Sequence, residues 1–130
     1  MATVLEVDGL HRSFGGVQAV AGVGFAVAAG QMLALIGPNG AGKSTLFNML
    51  NGQLRPDAGR VLLRGRDITG LPPRRIWRMG VGRTFQITAT FGSMTVRENV
   101  QMALLSHYRR LMGLWRPVAA QQREAAEALL

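Results

Sequence analysis

Nine consecutive residues concentrate the chemistry of this chain: Gly37, Pro38, Asn39, Gly40, Ala41, Gly42, Lys43, Ser44 and Thr45. The first eight fit the spacing G-x-x-x-x-G-K-[ST] at every fixed position, the pattern of a loop that cradles phosphates. Glycines let the backbone curl until successive amides point inward at an anion, and a helix starting straight after the loop adds its positive end. On this reading Lys43 neutralises the β- and γ-phosphates of a nucleoside triphosphate. Ser44 offers its hydroxyl to Mg²⁺, and Thr45 donates to the α-phosphate.

Such a loop works only between a strand and a helix, so the flanking elements decide whether the pattern means anything. Upstream, Gln31-Met-Leu-Ala-Leu-Ile36 reads as a fully buried strand feeding the loop. Downstream, Thr45 to Asn51 has helical spacing, with Leu46, Met49 and Leu50 on one face and Gly52 as the stop. Two further extended segments, Val4–Val7 and Val17–Val27, suggest antiparallel strands beside the nucleotide. After the loop helix, Arg55-Pro-Asp-Ala-Gly59 is a turn, Arg60–Arg64 a short strand and Gly65-Arg-Asp67 a second turn. Pro72-Pro73 opens a short helix carrying Ile76, Trp77 and Met79, and Gly80 ends it. Val81–Gln86 reads as a strand. Thr95-Val-Arg-Glu98 is a capping box that starts a helix running through Leu111. Beyond Gly113 and Pro117 a last helical pattern, Arg123–Leu130, has no closing glycine, and the expectation is that the sequence is the front half of something longer.

Composition narrows the alternatives. The chain has 130 residues, enough for one modest domain. It contains no cysteine, which excludes disulfides and thiolate metal sites, and its two histidines, His11 and His107, are far apart in sequence. The formal charge is +8, and all fifteen basic residues except Lys43 are arginine. Those between Arg55 and Arg83 are dispersed and few aromatics accompany them, so there is no stacking platform for single-stranded nucleic acid. The stretch Ala19–Gly37 is apolar enough to raise the question of a membrane span. Gly22, Gly24, Gly30 and Gln31 interrupt it, and it reads as two buried strands and a turn. No basic leader with a cleavage site opens the chain.

The loop, taken together with Arg83-Thr-Phe-Gln86 and Met94-Thr-Val-Arg-Glu-Asn99, resembles the ATP-binding subunits of ABC transporters over essentially the whole chain. With Phe14-Gly-Gly16 added, the similarity points to the subunit serving branched-chain amino-acid uptake in bacteria. The resemblance implies an α/β P-loop core with an N-terminal antiparallel β subdomain, residues 1–94, followed by the beginning of a helical subdomain, residues 95–130. It implies that Phe14 stacks on adenine, and that Gln86 touches Mg²⁺ and the attacking water and senses the membrane subunit. The residues from Ile87 onward then lead into the region that meets the permease. The implied cofactors are ATP and Mg²⁺. The implied partners are a second ATP-binding subunit and a membrane permease, which would hold the protein peripherally on the cytoplasmic face of the inner membrane.

The sequence also departs from the family pattern. It contains no apolar run ending in Asp-Glu, no Leu-Ser-Gly-Gly-Gln segment and no late switch histidine. After the loop the aspartates are Asp57 and Asp67, both in turns, and the glutamates are Glu98, Glu124 and Glu127, on helices. None is placed to orient water for phosphoryl transfer, so these 130 residues are expected to bind ATP weakly and to turn it over negligibly. Two rival readings are a short non-hydrolysing nucleotide-binding module and a soluble ABC-type ATPase acting on nucleic acid.

Overall fold

The computed structural model describes residues 1–84, 90–108 and 122–130. It divides into two compact units, Met1–Arg83 and Thr84–Leu130.

The first unit is built on a four-stranded antiparallel sheet of order β2-β1-β3-β4, formed by β1 (Thr3–Phe14), β2 (Val17–Ala28), β3 (Ala58–Leu63) and β4 (Arg66–Asp67). β1 and β2 are longer than their apolar segments alone imply. They meet in a two-residue hairpin in which Phe14 pairs with Val17 and both Gly15 and Gly16 have positive φ, the conformation of a type I′ turn. The pairing of β1 slips between Val7 and Leu10. That irregularity lets two residues of opposite parity, Val7 and Leu10, both reach the buried face.

Onto this sheet pack α1 (Lys43–Leu50) and α2 (Pro73–Arg78). The core joins Val7, Leu10, Val20, Val61 and Leu63 of the sheet to Leu46 and Met49 of α1, with Ile68 and Ile76. Each large aliphatic side chain so buried contributes about 1.5–3 kcal/mol. The helix face read from the sequence is therefore the buried one: α1 ends at Leu50, and Gly52 turns the chain at φ 79°.

Three expectations need correction. Gln31–Ile36 is neither a strand nor buried: it has no regular structure, and Met32 and Ile36 are 96% and 91% exposed. A strand exists only where neighbours satisfy its amides and carbonyls, and among the described residues the sheet includes no partner for this segment. The reading of Ala19–Gly37 as two buried strands thus finds a strand in β2, where Val20 alone is fully buried, and fails for its second half. Val81–Thr84 is likewise not a strand, and Phe85 and Gln86 lie outside the described residues. Finally, Arg64 belongs to a turn rather than to a strand. With Gly65 it forms the β3–β4 hairpin, both at positive φ, so that Arg66 and Asp67 become strand.

In the second unit, α3 (Val96–His107) begins at Thr95 with both bonds of the predicted capping box. It ends at His107 with Tyr108 as its C-cap, short of the Leu111 expected from the sequence; residues 109–111 lie outside the described residues. Within this unit α4 (Arg123–Glu127) buries Ala126, α3 buries Gln101 and Leu105, and Arg97 of α3 bridges to Glu127 of α4 at 3.2 Å. Among the described residues no helix is long and apolar enough to cross a membrane.

Candidate functional site

The loop is exposed from Gly37 through Ala41 and is shaped by its own backbone. Ala41 N–H donates to the Pro38 carbonyl at 3.2 Å, with Gly40 at φ 84° in the third position of the turn, the place where a type II turn requires glycine. Gly42 follows at φ 85° and serves as the N-cap of α1. It is also the point where the loop touches the sheet. A Cβ built on Gly42 would lie 2.1 Å from the Ala19 carbonyl oxygen of β2, so only glycine fits there.

The start of α1 is prepared for an anion. Its first hydrogen bond runs from Leu46 N–H to the Gly42 carbonyl at 2.9 Å, so the amides of Lys43, Ser44 and Thr45 precede the helical ladder. Gly42 supplies no side-chain cap, and no acidic residue stands in the first turn to use those donors. Lys43 folds back over the loop, its ammonium donating to the carbonyls of Gly37 at 2.5 Å and Pro38 at 2.6 Å. These bonds tie the two ends of the loop together and place the cation above it.

Phe14 stands at the hairpin tip and is 46% exposed. Its pairing partner Val17 is two to three residues along β2 from Ala19 and Val20, the segment against which Gly42 packs, a separation of about 7–10 Å at the rise of a strand. The β1–β2 hairpin thus carries an aromatic ring at the end of β1 and a phosphate-type loop packed on β2, at a spacing suited to a base and its phosphates joined by a ribose. Gln86 lies outside the described residues.

Sequence reasoning missed the groups that fix Phe14. Arg12 donates to Asp57 Oδ1 at 2.7 Å and to the Arg55 carbonyl at 3.2 Å, and its guanidinium carbon lies 4.8 Å from the centre of the Phe14 ring. Asp57 accepts a second bond at Oδ2 from Ser13 N–H at 2.8 Å, while its own amide donates to the His11 carbonyl at 2.9 Å. Sequence offers no local signal for contacts spanning some 45 residues.

Also unforeseen was Asn99 in the second unit. Its carboxamide accepts from Phe91 N–H at 2.8 Å and donates to the carbonyls of Phe91 and Thr95 at 3.2 and 3.0 Å, pinning the turn ahead of α3 to the helix. Beside it an apolar groove is lined by Phe91, Met94, Val96, Val100 and Met102.

Known proteins resemble this chain in sequence and in fold. The high-affinity branched-chain amino acid transport ATP-binding protein BraF of Pseudomonas aeruginosa is 45% identical over 95% of this chain and 50% of its own length. The corresponding LivG protein of Escherichia coli is 46% identical over 86% of this chain and 43% of its own. Among solved structures, a nucleotide-free ATP-binding cassette from an ABC transporter superposes with a TM-score of 0.74 at 32% identity, covering 96% of this chain and 50% of the other. The ADP conformation of an ATP-binding cassette gives 0.77 at 33% identity, covering 98% and 51%. The chain spans about half the length of the curated relatives it matches. Its fold is that of the P-loop cassette, represented here by the antiparallel sheet and the helices that pack on it. Because residues 20–130 match the family described as ABC transporter, and the phosphate-type loop lies inside that match, the chain belongs to the ABC transporter family.

Proposed function

We propose that this chain provides the nucleotide-binding part of an ATPase subunit that powers uptake of amino acids, branched-chain ones first among them. The observation that carries the proposal is the pairing of an uncapped helix start at Lys43–Thr45 with a lysine poised over the loop. Together they make a cluster of donors with no acidic residue in the first turn of α1 to satisfy it. Triphosphate binding exchanges the Lys43 bonds to Gly37 and Pro38 for bonds to the β- and γ-phosphates. The amides of Gly40 to Thr45 line the β-phosphate, and Phe14 takes the adenine. The names of the relatives support the substrate class.

The donors present suit Mg²⁺. The hydroxyl of Ser44 stands in the first turn of α1, and among the described residues no group of three or more acidic or histidine side chains stands ready to enclose a metal. A hard cation that keeps water and phosphate oxygens as most of its ligands fits such a sparse protein contribution, with Ser44 and Gln86 as its protein ligands. When bound, the ion neutralises charge on the β- and γ-phosphates. This chain's own residues hold the phosphates in line and orient the base. Hydrolysis requires a water-orienting carboxylate that these 130 residues do not supply.

In the full protein the apolar groove along α3 is the place where the permease docks, on the cytoplasmic face of the membrane, and a second ATP-binding subunit closes over the nucleotide. The test is titration of the natively expressed protein with Mg·ATP, alongside its intact mass. Saturable ATP binding and a mass of about twice that of this chain, near the relatives' length, support the reading. Absence of ATP binding overturns it.

A further inference from the structure

Resting on the nucleotide-binding reading above, we infer that Arg12 and Asp57 are positioning residues for the purine base: the Arg12 guanidinium backs one face of the Phe14 ring and leaves the other for the base. The guanidinium carbon lies 4.8 Å from the ring centre, within the range of a cation–π contact. Arg12 is not free to leave, because Asp57 and the Arg55 carbonyl both accept from its Nη1. Asp57 is itself fixed by three separate bonds: to Arg12, from Ser13 N–H, and from its own amide to the His11 carbonyl. The turn before β3 thus clamps the last residues of β1 immediately ahead of Phe14.

Phe14 is 46% exposed at the hairpin tip, so part of its ring stays accessible to a base. An unsupported phenylalanine at the end of a two-stranded tip would sample several rotamers, and a base stacking on it would bear the cost of ordering it. With Arg12 behind it the ring is ordered in advance. A cation on one face also draws electron density from the ring, which favours stacking of an electron-rich purine on the other. The arrangement therefore acts on base affinity and leaves phosphate recognition to the loop.

The test compares Mg·ATP with Mg·tripolyphosphate, which carries the phosphates without a base, by calorimetric titration of the natively expressed protein and its variants. The wild type is expected to prefer ATP. Arg12→Ala should reduce the ratio of ATP to tripolyphosphate affinity about two- to fivefold. Arg12→Lys, which keeps an ion pair with Asp57 but loses the planar group, should fall between. In a Phe14→Ala background, Arg12→Ala should have no further effect on the ratio. If Arg12→Ala weakens both ligands equally, or neither, the residue's role is structural and the inference is overturned. A wild type that binds both ligands equally also overturns it, while leaving phosphate binding by the loop intact. A wild type that binds neither ligand sinks the nucleotide reading and this inference with it.

Discussion

Arg83 Nη1 donates to the side-chain oxygen of Asn48 at 2.6 Å and to Gln53 Oε1 at 3.0 Å. Asn48 lies on α1, the helix that opens at Lys43, and Gln53 follows just after its end. Arg83, at the end of the first unit, is thereby tethered to the helix that carries the phosphate-binding donors. Bonds from a charged donor to a neutral acceptor on an exposed surface are worth about 1 kcal/mol net. A double-mutant cycle with Arg83→Ala and Asn48→Ala, read by denaturant unfolding, should give a coupling energy of about 0.5–1.5 kcal/mol. Additive effects would show that the contact contributes nothing to stability.

Glycine has different meanings at two neighbouring loop positions. Gly40 and Gly42 have nearly the same φ, 84° and 85°, but a Cβ on Gly40 meets nothing within 4 Å while one on Gly42 runs into the Ala19 carbonyl. Gly40→Ala should cost only the left-handed backbone penalty, about 1–2 kcal/mol. Gly42→Ala adds overpacking against an immovable strand, and the total should reach about 2–5 kcal/mol. Thermal unfolding of the two variants side by side checks this; equal losses would mean that the loop does not pack on β2.

How much of this was legible in the sequence varies with the range of the interaction. The capping box at Thr95 and Glu98, the buried face of α1 and the stop at Gly52 were readable because their signals lie within one or two helical turns. Met32–Ile36 was misread because an apolar run tells only that burial is favourable, whereas a strand also needs partners for its backbone. Arg12 carries no local signal in the sequence, and Asp57 reads only as a turn residue. Their roles come from a β1–β3 pairing that brings His11 opposite Ala58 and that no local pattern announces.

Lys43 is the residue on which phosphate binding most depends. Replacing it by methionine keeps the length and apolar stem of the side chain while removing both bonds to the loop carbonyls and the positive charge. The phosphates lose a charge-assisted pair worth about 1.5–3 kcal/mol, a roughly 10- to 150-fold loss in Mg·ATP affinity. The fold should survive, since the Lys43 bonds are exposed and the core of this unit is made by Leu46 and Met49 on the same helix. Calorimetric titration paired with circular dichroism separates the two effects. Unchanged ATP affinity in a folded Lys43→Met variant would remove the loop from the binding site.

The start of α3 should respond to acid in a direction the capping box dictates. Glu98 accepts at Oε2 from Thr95 N–H at 2.7 Å and from the Thr95 hydroxyl at 2.9 Å, and the backbone bond first, then the hydroxyl, hold its carboxyl below the usual glutamate range. A carboxylate whose folded pKa is depressed contributes stability that is fully present above its unfolded pKa and lost as pH falls through the folded one. The helix start should therefore fray more readily from about pH 5 downward. Glu98→Gln keeps an acceptor for the Thr95 amide without a titrating group, so it should lower protection at neutral pH and flatten the acid dependence. Thr95→Ala, which removes the other half of the box, should cost about 1 kcal/mol at neutral pH. Amide hydrogen exchange across Val96–Val100, corrected for the intrinsic pH dependence of exchange, reads all three proteins. If wild type and Glu98→Gln lose protection in parallel as pH falls, the carboxylate is not what holds the cap.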